Sequence, residues 1–115
     1  MKKLFILVIV MFLLGGCSSK ESNNGLISYM DAKEKIINEG AVLVDVRTED
    51  EYNSNHIGGA INIPIDSISS AVSLSKDNPI IVYCKSGNRS KIAAEGLIEL
   101  GYKNVYDLGS INNWS

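Results

Sequence analysis

From residue 26 onward, short apolar runs alternate with stretches that carry helix signals, and this alternation restricts the chain to one fold class. The runs have the length of buried strands, and the longest, at 41–46, is mostly apolar. Such a run is typical of a parallel strand that is covered on both faces. The alternation therefore predicts an α/β domain with a mainly parallel sheet. Its five predicted strands lie at 26–29, 41–46, 60–63, 79–83 and 104–108.

Helix start and stop signals lie between the predicted strands. An Asp or Thr followed three residues later by Glu forms a capping box, and this pattern occurs at 31–34 and 48–51. Glycine commonly follows the last residue of a helix, so we expect helices to end at Gly40 and Gly101. Another helix is predicted to be capped by Asp66 and to carry Ile68, Ala71, Val72 and Ser75 on one face.

The loop after the fourth predicted strand reads Cys84-Lys85-Ser86-Gly87-Asn88-Arg89, and a helix is predicted to follow at 91–100. Backbone N–H groups and the helix dipole converge at such a hinge, which favours an anion and lowers the pKa of a cysteine. Lys85 and Arg89 add positive charge, and Gly87 supplies the positive φ that folds the loop around the sulfur. We interpret Cys84 as a nucleophile rather than as an inert buried thiol.

The N-terminus has the pattern of a secretory signal. Two lysines precede an apolar run at 4–14, which is shorter than the roughly 20 residues of a membrane span but suits a signal-peptide core. Small residues then lead into Cys17, and Leu14-Gly15-Gly16-Cys17 resembles the lipobox of bacterial lipoproteins. An ordinary cleaved signal and an uncleaved anchor are the alternatives.

The lipobox predicts three segments in the precursor. They are a lipoprotein signal peptide at 1–16, a lipidated Cys17 with a polar tether through residue 25, and a domain at 26–115. Two or more acyl chains on Cys17 hold a protein stably at a membrane, where one chain does not. The predicted location is the extracytoplasmic face of a bacterial cell membrane.

Composition narrows the possible functions. Residues 17–115 keep nine Lys and Arg against thirteen Asp and Glu, a net charge of −4, which argues against nucleic acid as a partner. With Cys17 at the lipid site, Cys84 has no partner for an internal disulfide, which suggests a reactive thiol. The lone His56 excludes a histidine-rich metal site and no zinc-type spacing occurs, so no metal is predicted.

Two strand ends are expected to meet at one rim of the sheet. Ligands bind beyond the carboxyl ends of parallel strands, where Cys84 lies at the end of the fourth strand and Asp45-Val46-Arg47 at the end of the second. Asp45 either orients the loop around Cys84 or belongs to a structural ion-pair cluster with Arg47 and Glu51. For Arg47 and Glu51 the structural role is favoured.

Six motifs, taken in order, resemble the rhodanese family, over roughly residues 26–115. They are Asp45-Val46-Arg47, Glu51-Tyr52, His56-Ile57-x-Gly59-Ala60-x-Asn62-Ile63-Pro64, Cys84-x-x-Gly87-x-Arg89-Ser90, Gly101-Tyr102-x-x-Val105-Tyr106-x-Leu108-Gly109 and Trp114. The resemblance implies a three-layer α/β/α domain with a five-stranded parallel sheet. It also implies sulfur transfer through a persulfide on Cys84, without a cofactor. The chain departs from the family at Gly109-Ser110, where Gly-Gly is usual, and in its short end after Trp114.

The expected mechanism begins with attack of Cys84 on the outer sulfur of a donor such as thiosulfate or a persulfide. A thiol, cyanide or a cysteine of a partner protein then accepts the sulfur. Arg89 either binds the donor or braces the loop, and Ser86 either contacts the persulfide or shapes the turn. His56 is expected to be structural. The predicted substrate-binding residues are Lys85, Ser86, Gly87, Asn88 and Arg89, and the supporting residues are Asp45, Arg47 and Ser90.

Two other functions compete with sulfur transfer. A cysteine phosphatase also uses a loop from cysteine to arginine, but it has five intervening residues where this chain has four between Cys84 and Arg89. The shorter loop suits one sulfur better than a phosphoryl group. A non-catalytic binding or persulfide-carrier module at the membrane surface is the other alternative, since a carrier needs the same nucleophile.

Overall fold

A five-stranded sheet lies at the centre of the structure, a computed structural model that describes residues 24–115. The order across the sheet is first, fifth, fourth, second and third strand, and all four pairings are parallel. The predicted signal peptide, Cys17 and most of the predicted tether lie outside the described residues. The strands are β1 (Asn24–Leu26), β2 (Val42–Asp45), β3 (Ile61–Asn62), β4 (Ile80–Cys84) and β5 (Val105–Ser110).

Helices cover both faces of this sheet and make three layers. One face packs against α3 and α4, defined below, and the other against α1 and α2. This arrangement confirms the predicted three-layer α/β/α fold. Within residues 24–115, no helix is both long and apolar enough to cross a membrane. The helices are α1 (Tyr29–Glu39), α2 (Glu49–Ser54), α3 (Ile68–Ala71) and α4 (Asn88–Glu99), with 3-10 turns at Ile65–Ser67 and Ile111–Asn113.

The burial pattern of strand β4 explains which side of the sheet the Cys84 side chain faces. Every residue of the strand is buried, because successive side chains point to opposite faces and both faces are covered. Ile80, Val82 and Cys84 pack in the core on the α4 side, whereas Ile81 and Tyr83 pack on the α1 side. The sulfur therefore faces the layer to which α4 belongs.

Several predicted boundaries are correct and others shift. Gly40 ends α1 with a left-handed φ of 70°, and Thr48 with Glu51 forms the predicted capping box of α2. The predicted start of α1 at Asp31 is wrong, because the Ser28 hydroxyl caps the helix by accepting from the Asp31 N–H at 3.1 Å. The first strand accordingly lies at Asn24–Leu26 rather than at 26–29.

The helix predicted after Asp66 is largely absent. Asp66 lies inside a 3-10 turn and makes no capping hydrogen bond, and α3 spans only four residues. Val72 is extended, with φ −84° and ψ 121°, so the helix has already ended there and Ser75 lies outside it. Serines compete with helical hydrogen bonding through their hydroxyls, as Ser70 does by donating to the Ser67 carbonyl.

Candidate active site

The sulfur of Cys84 sits inside a ring of backbone N–H groups. Cys84 is the last residue of β4 and is 0% exposed. Its Sγ accepts hydrogen bonds from the N–H of Gly87 at 3.0 Å and of Ser90 at 3.3 Å. Gly87 is the N-cap of α4 with a φ of 103°, a left-handed conformation that L side chains rarely adopt. The loop and the first turn of α4 thus enclose the sulfur together.

The loop favours the thiolate of Cys84. Burial alone raises the pKa of this thiol, but hydrogen bonds from Ser90, Gly87 and Ser86 outweigh it, so the pKa lies below its ordinary value. The Ser90 hydroxyl has a single hydrogen, which can be donated either to the Gly87 carbonyl, 3.2 Å away, or to the Cys84 sulfur, where it lowers the pKa. These groups replace the water that a buried anion lacks.

The loop residues differ in exposure. The side chains of Lys85, Ser86 and Asn88 are exposed, whereas Gly87 and Arg89 are half-buried. Lys85 has no ion-pair partner among the described residues. A cleft of about 300 Å³ lies beside Lys85 and is lined by Arg47, Glu51, Ser54, Asn55, Lys85, Ile111 and Asn112.

Arg89 faces Glu51 rather than the sulfur. Its two terminal nitrogens donate to the two Glu51 carboxylate oxygens at 2.8 and 3.1 Å. Arg89, followed by the Thr48 N–H, holds the pKa of Glu51 at about 2, below its ordinary value of 4.5. Because the guanidinium fork is occupied in this way, the geometry favours a bracing role for Arg89 over direct donor binding.

Asp45 and Arg47 form a separate buried ion pair. Arg47 Nη2 lies 2.6 Å from Asp45 Oδ2, and the two side chains are 5% and 0% exposed. Both Asp45 oxygens accept from Arg47, which also donates to the Asn55 carbonyl at 2.7 Å. The predicted cluster of Asp45, Arg47 and Glu51 is therefore divided, because Glu51 pairs with Arg89. The Asp45 carboxylate faces Arg47 and not the Cys84 loop.

Other polar groups at this rim had no assigned role in the sequence. The Asn62 amide donates to the carbonyls of Asp45 and Arg47, and the Tyr83 hydroxyl accepts from the Ile57 N–H at 3.1 Å. Asn62 belongs to the motif at 56–64, whereas Tyr83 lies inside an apolar run, where nothing in the sequence indicated a polar role. His56 is exposed and stacks on the Tyr52 ring, as expected for a structural residue. No metal-ligand cluster occurs within residues 24–115.

A family match accounts for this combination of fold and loop. The family described as "Rhodanese-like domain" matches this chain over residues 28–115, a range that includes every strand except β1. The chain belongs to the rhodanese family. Membership agrees with the motifs in the sequence and with the five-stranded parallel sheet.

Similar rhodanese proteins are known as sequences and as structures. Thiosulfate sulfurtransferase GlpE of Coxiella burnetii is 33% identical over 90 residues, which cover 76% of this chain and 84% of that protein. Thiosulfate sulfurtransferase PspE of Escherichia coli is 34% identical over 73 residues, 61% of this chain and 70% of that protein. A rhodanese-related protein from Thermoplasma volcanium superposes with a TM-score of 0.66 at 34% identity, covering 77% of this chain and 88% of that one.

The ion pair between Glu51 and Arg89 predicts an acid-sensitive brace. Since folding lowers the pKa of Glu51 from 4.5 to about 2, its stabilising effect is complete above pH 4.5 and is lost as the pH falls toward 2. We expect Glu51→Gln to lower the free energy of unfolding by about 1 kcal/mol at pH 7, a value reduced for solvent screening. Urea unfolding of both proteins from pH 7 to pH 3 measures the difference.

The control is Asp77→Asn, which breaks the highly exposed pair with Lys103 and should have little effect at either pH. Glutamine can still accept the hydrogen bonds of the Thr48 capping box, so the substitution mainly removes charge. An equal difference between wild type and Glu51→Gln at pH 7 and pH 3 would contradict the charge explanation.

Proposed function

We propose that Cys84 carries a sulfane sulfur from a donor such as thiosulfate to a thiol or cyanide acceptor. The chain is a rhodanese-type sulfurtransferase, in agreement with its family and with relatives named thiosulfate sulfurtransferase. The observation that carries the proposal is the enclosure of the Cys84 sulfur by loop N–H groups, which lower its pKa. A thiolate is the nucleophile that this chemistry requires.

The first half-reaction transfers one sulfur to the enzyme. The Cys84 thiolate attacks the outer sulfur of thiosulfate, and the bond between the two thiosulfate sulfurs breaks. Sulfite leaves with the electron pair of that bond. The product is a Cys84 persulfide whose terminal sulfur carries the negative charge.

The second half-reaction restores the thiolate. The acceptor attacks the outer sulfur, and the persulfide S–S bond breaks with its electron pair going to Cys84. Cyanide becomes thiocyanate, and a thiolate becomes a persulfide. The negative charge moves from Cys84 Sγ to the outer sulfur and back, and the N–H groups of Ser86, Gly87 and Ser90 stabilise it on Sγ at the start and end of the cycle.

The remaining loop residues have supporting roles in this proposal. Lys85 attracts anionic donors, because it is an exposed cation with no ion-pair partner among the described residues. Arg89 holds the loop through Glu51, and Asp45 with Arg47 fixes the rim beside it. Ser86 and Asn88 are assigned to donor binding because both are exposed residues of the loop that follows Cys84.

The persulfide itself is the direct test. Purified full-length protein in mild detergent is treated with thiosulfate without reducing agent, alongside Cys84→Ser. We expect the wild-type peptide that contains Cys84 to gain one sulfur atom, with an equal amount of sulfite released, and the variant to gain none. Peptide mapping is needed because Cys17 is a second thiol if it lacks lipid.

Absence of the gain, with Cys84 present as a free thiol, would contradict thiosulfate as the donor. A persulfide that forms but passes to neither cyanide nor small thiols would favour the carrier module. Hydrolysis of a phosphotyrosine analogue by wild type but not by Cys84→Ser would favour the phosphatase, which the short loop opposes.

We also propose that Cys17 is lipidated and anchors the domain at the extracytoplasmic face of a bacterial membrane. The support is the sequence alone: an apolar run at 4–14 and the small residues before Cys17. Because β1 begins at Asn24, only residues 18–23 separate Cys17 from the sheet, and a random coil of that length would keep the domain within about 13 Å of the bilayer. Its acceptors would then lie near the membrane surface.

If Cys17 is lipidated, partition of the protein into a detergent phase should depend on the Cys17 sulfur. When expressed in bacteria, the wild type should incorporate labelled palmitate and enter the detergent phase, while Cys17→Ser should incorporate none. Cys84→Ser is the matched control, because it removes the other cysteine and should partition like the wild type. Equal labelling of wild type and Cys17→Ser would contradict the anchor.

A further inference from the structure

Ser110 lies opposite the catalytic cysteine because β5 contains an extra residue. Val82 pairs with Asp107, but the next residue of β4, Tyr83, pairs with Gly109. Leu108 is passed over, and the shifted register brings Ser110 beside Cys84. In an unshifted ladder, Gly109 would occupy that position. Such bulges commonly redirect a side chain near an active site.

The bulge has a clear local cause. The Asp107 carboxylate accepts the Gly109 N–H at 2.8 Å and so turns the backbone back on itself. Gly109 has a φ of 85°, the left-handed region that favours glycine. Asp107 and Gly109 together therefore determine where Ser110 lies.

Ser110 is bonded to the catalytic loop. Its hydroxyl donates to the Lys85 carbonyl at 2.7 Å and accepts from the Asn112 N–H at 3.0 Å, so its orientation is fixed from both sides. Gly87 approaches the same part of β5, since a Cβ there would lie 3.8 Å from Gly109 Cα. The loop thus touches the end of β5 at two points.

We propose that Ser110 is a positioning residue that holds the Lys85–Ser86 peptide group so that the Ser86 N–H points into the loop around Cys84 Sγ. This peptide is trans, so its carbonyl and its N–H point in opposite directions. Anchoring the carbonyl on Ser110 therefore sets the direction of the N–H. A hydrogen bond to the carbonyl also polarises the peptide and strengthens the N–H as a donor.

The Ser86 N–H is one of the groups that lower the pKa of Cys84. Without the Ser110 hydroxyl, the peptide is free to rotate and the thiolate loses part of its stabilisation. The effect on the thiol is independent of the reaction that Cys84 performs. Its effect on sulfur transfer rests on the proposed function.

The test measures how fast Cys84 is alkylated as a function of pH. Full-length protein in mild detergent is treated with iodoacetamide between pH 5 and 10, and the modified Cys84 peptide is quantified separately from Cys17. We expect Ser110→Ala to raise the midpoint pH, which reports the pKa of Cys84, by about half a unit. Alkylation below the midpoint then slows about threefold, with the plateau at high pH unchanged.

Matched variants separate the hydroxyl from the shape of the side chain. Thr and Val are nearly isosteric, and both suit the extended backbone of Ser110 with φ −80° and ψ 143°. We expect Ser110→Thr to keep the wild-type midpoint and Ser110→Val to raise it as Ser110→Ala does. The control is Ser70→Ala. This variant removes the hydrogen bond from the exposed Ser70 hydroxyl to the Ser67 carbonyl, and it should leave the midpoint unchanged.

A merely structural role would change stability and not the midpoint, so urea unfolding is measured on every variant. Folded Ser110→Ala and Ser110→Val proteins with the wild-type midpoint would overturn the proposal. Equal midpoints for the Thr and Val variants would overturn it as well. Alkylation needs no sulfur donor, so a raised midpoint supports the role of Ser110 even if thiosulfate fails to form the persulfide.

Discussion

A buried sulfur anion needs hydrogen-bond donors in place of water, and this need organises the active-site end of the molecule. Cys84 is 0% exposed, yet its pKa is lowered. Backbone N–H groups meet the need only if the loop keeps one shape. Gly87 permits that shape, and contacts from distant parts of the chain hold it, through Glu51 on one side and Ser110 on the other.

Charges around the loop are arranged in pairs that neutralise each other. Asp45 with Arg47 is a buried pair, and Glu51 with Arg89 is a half-buried pair. Each arginine is paired with a carboxylate, although Arg89 still attracts the Cys84 thiolate electrostatically. The field that favours an anion also comes from the N–H groups, the start of α4 and the exposed Lys85.

Patterns among neighbouring residues predicted most of this site. They did not predict the contacts between residues that are far apart in the sequence. The strand, the loop around Cys84 and the following helix were readable because neighbouring residues define them. The capping box revealed the short helix α2, whereas the serine-rich segment after Asp66 was less predictable and barely forms a helix. The partner of Arg89 is 38 residues away, and the shift that brings Ser110 to the loop depends on a φ that residue types alone do not reveal.

The strand order determines when, during synthesis of the chain, the Cys84 loop acquires all of its contacts. Strand β5 is the last strand of the described chain, yet it lies between β1 and β4. As the chain emerges from the ribosome, β4 can pair with β2, but β1 has no partner until residue 105 and beyond are available. The loop around Cys84 gains its contact with Ser110 only at that final step. The nucleophile is therefore fully activated only after the domain has closed around it.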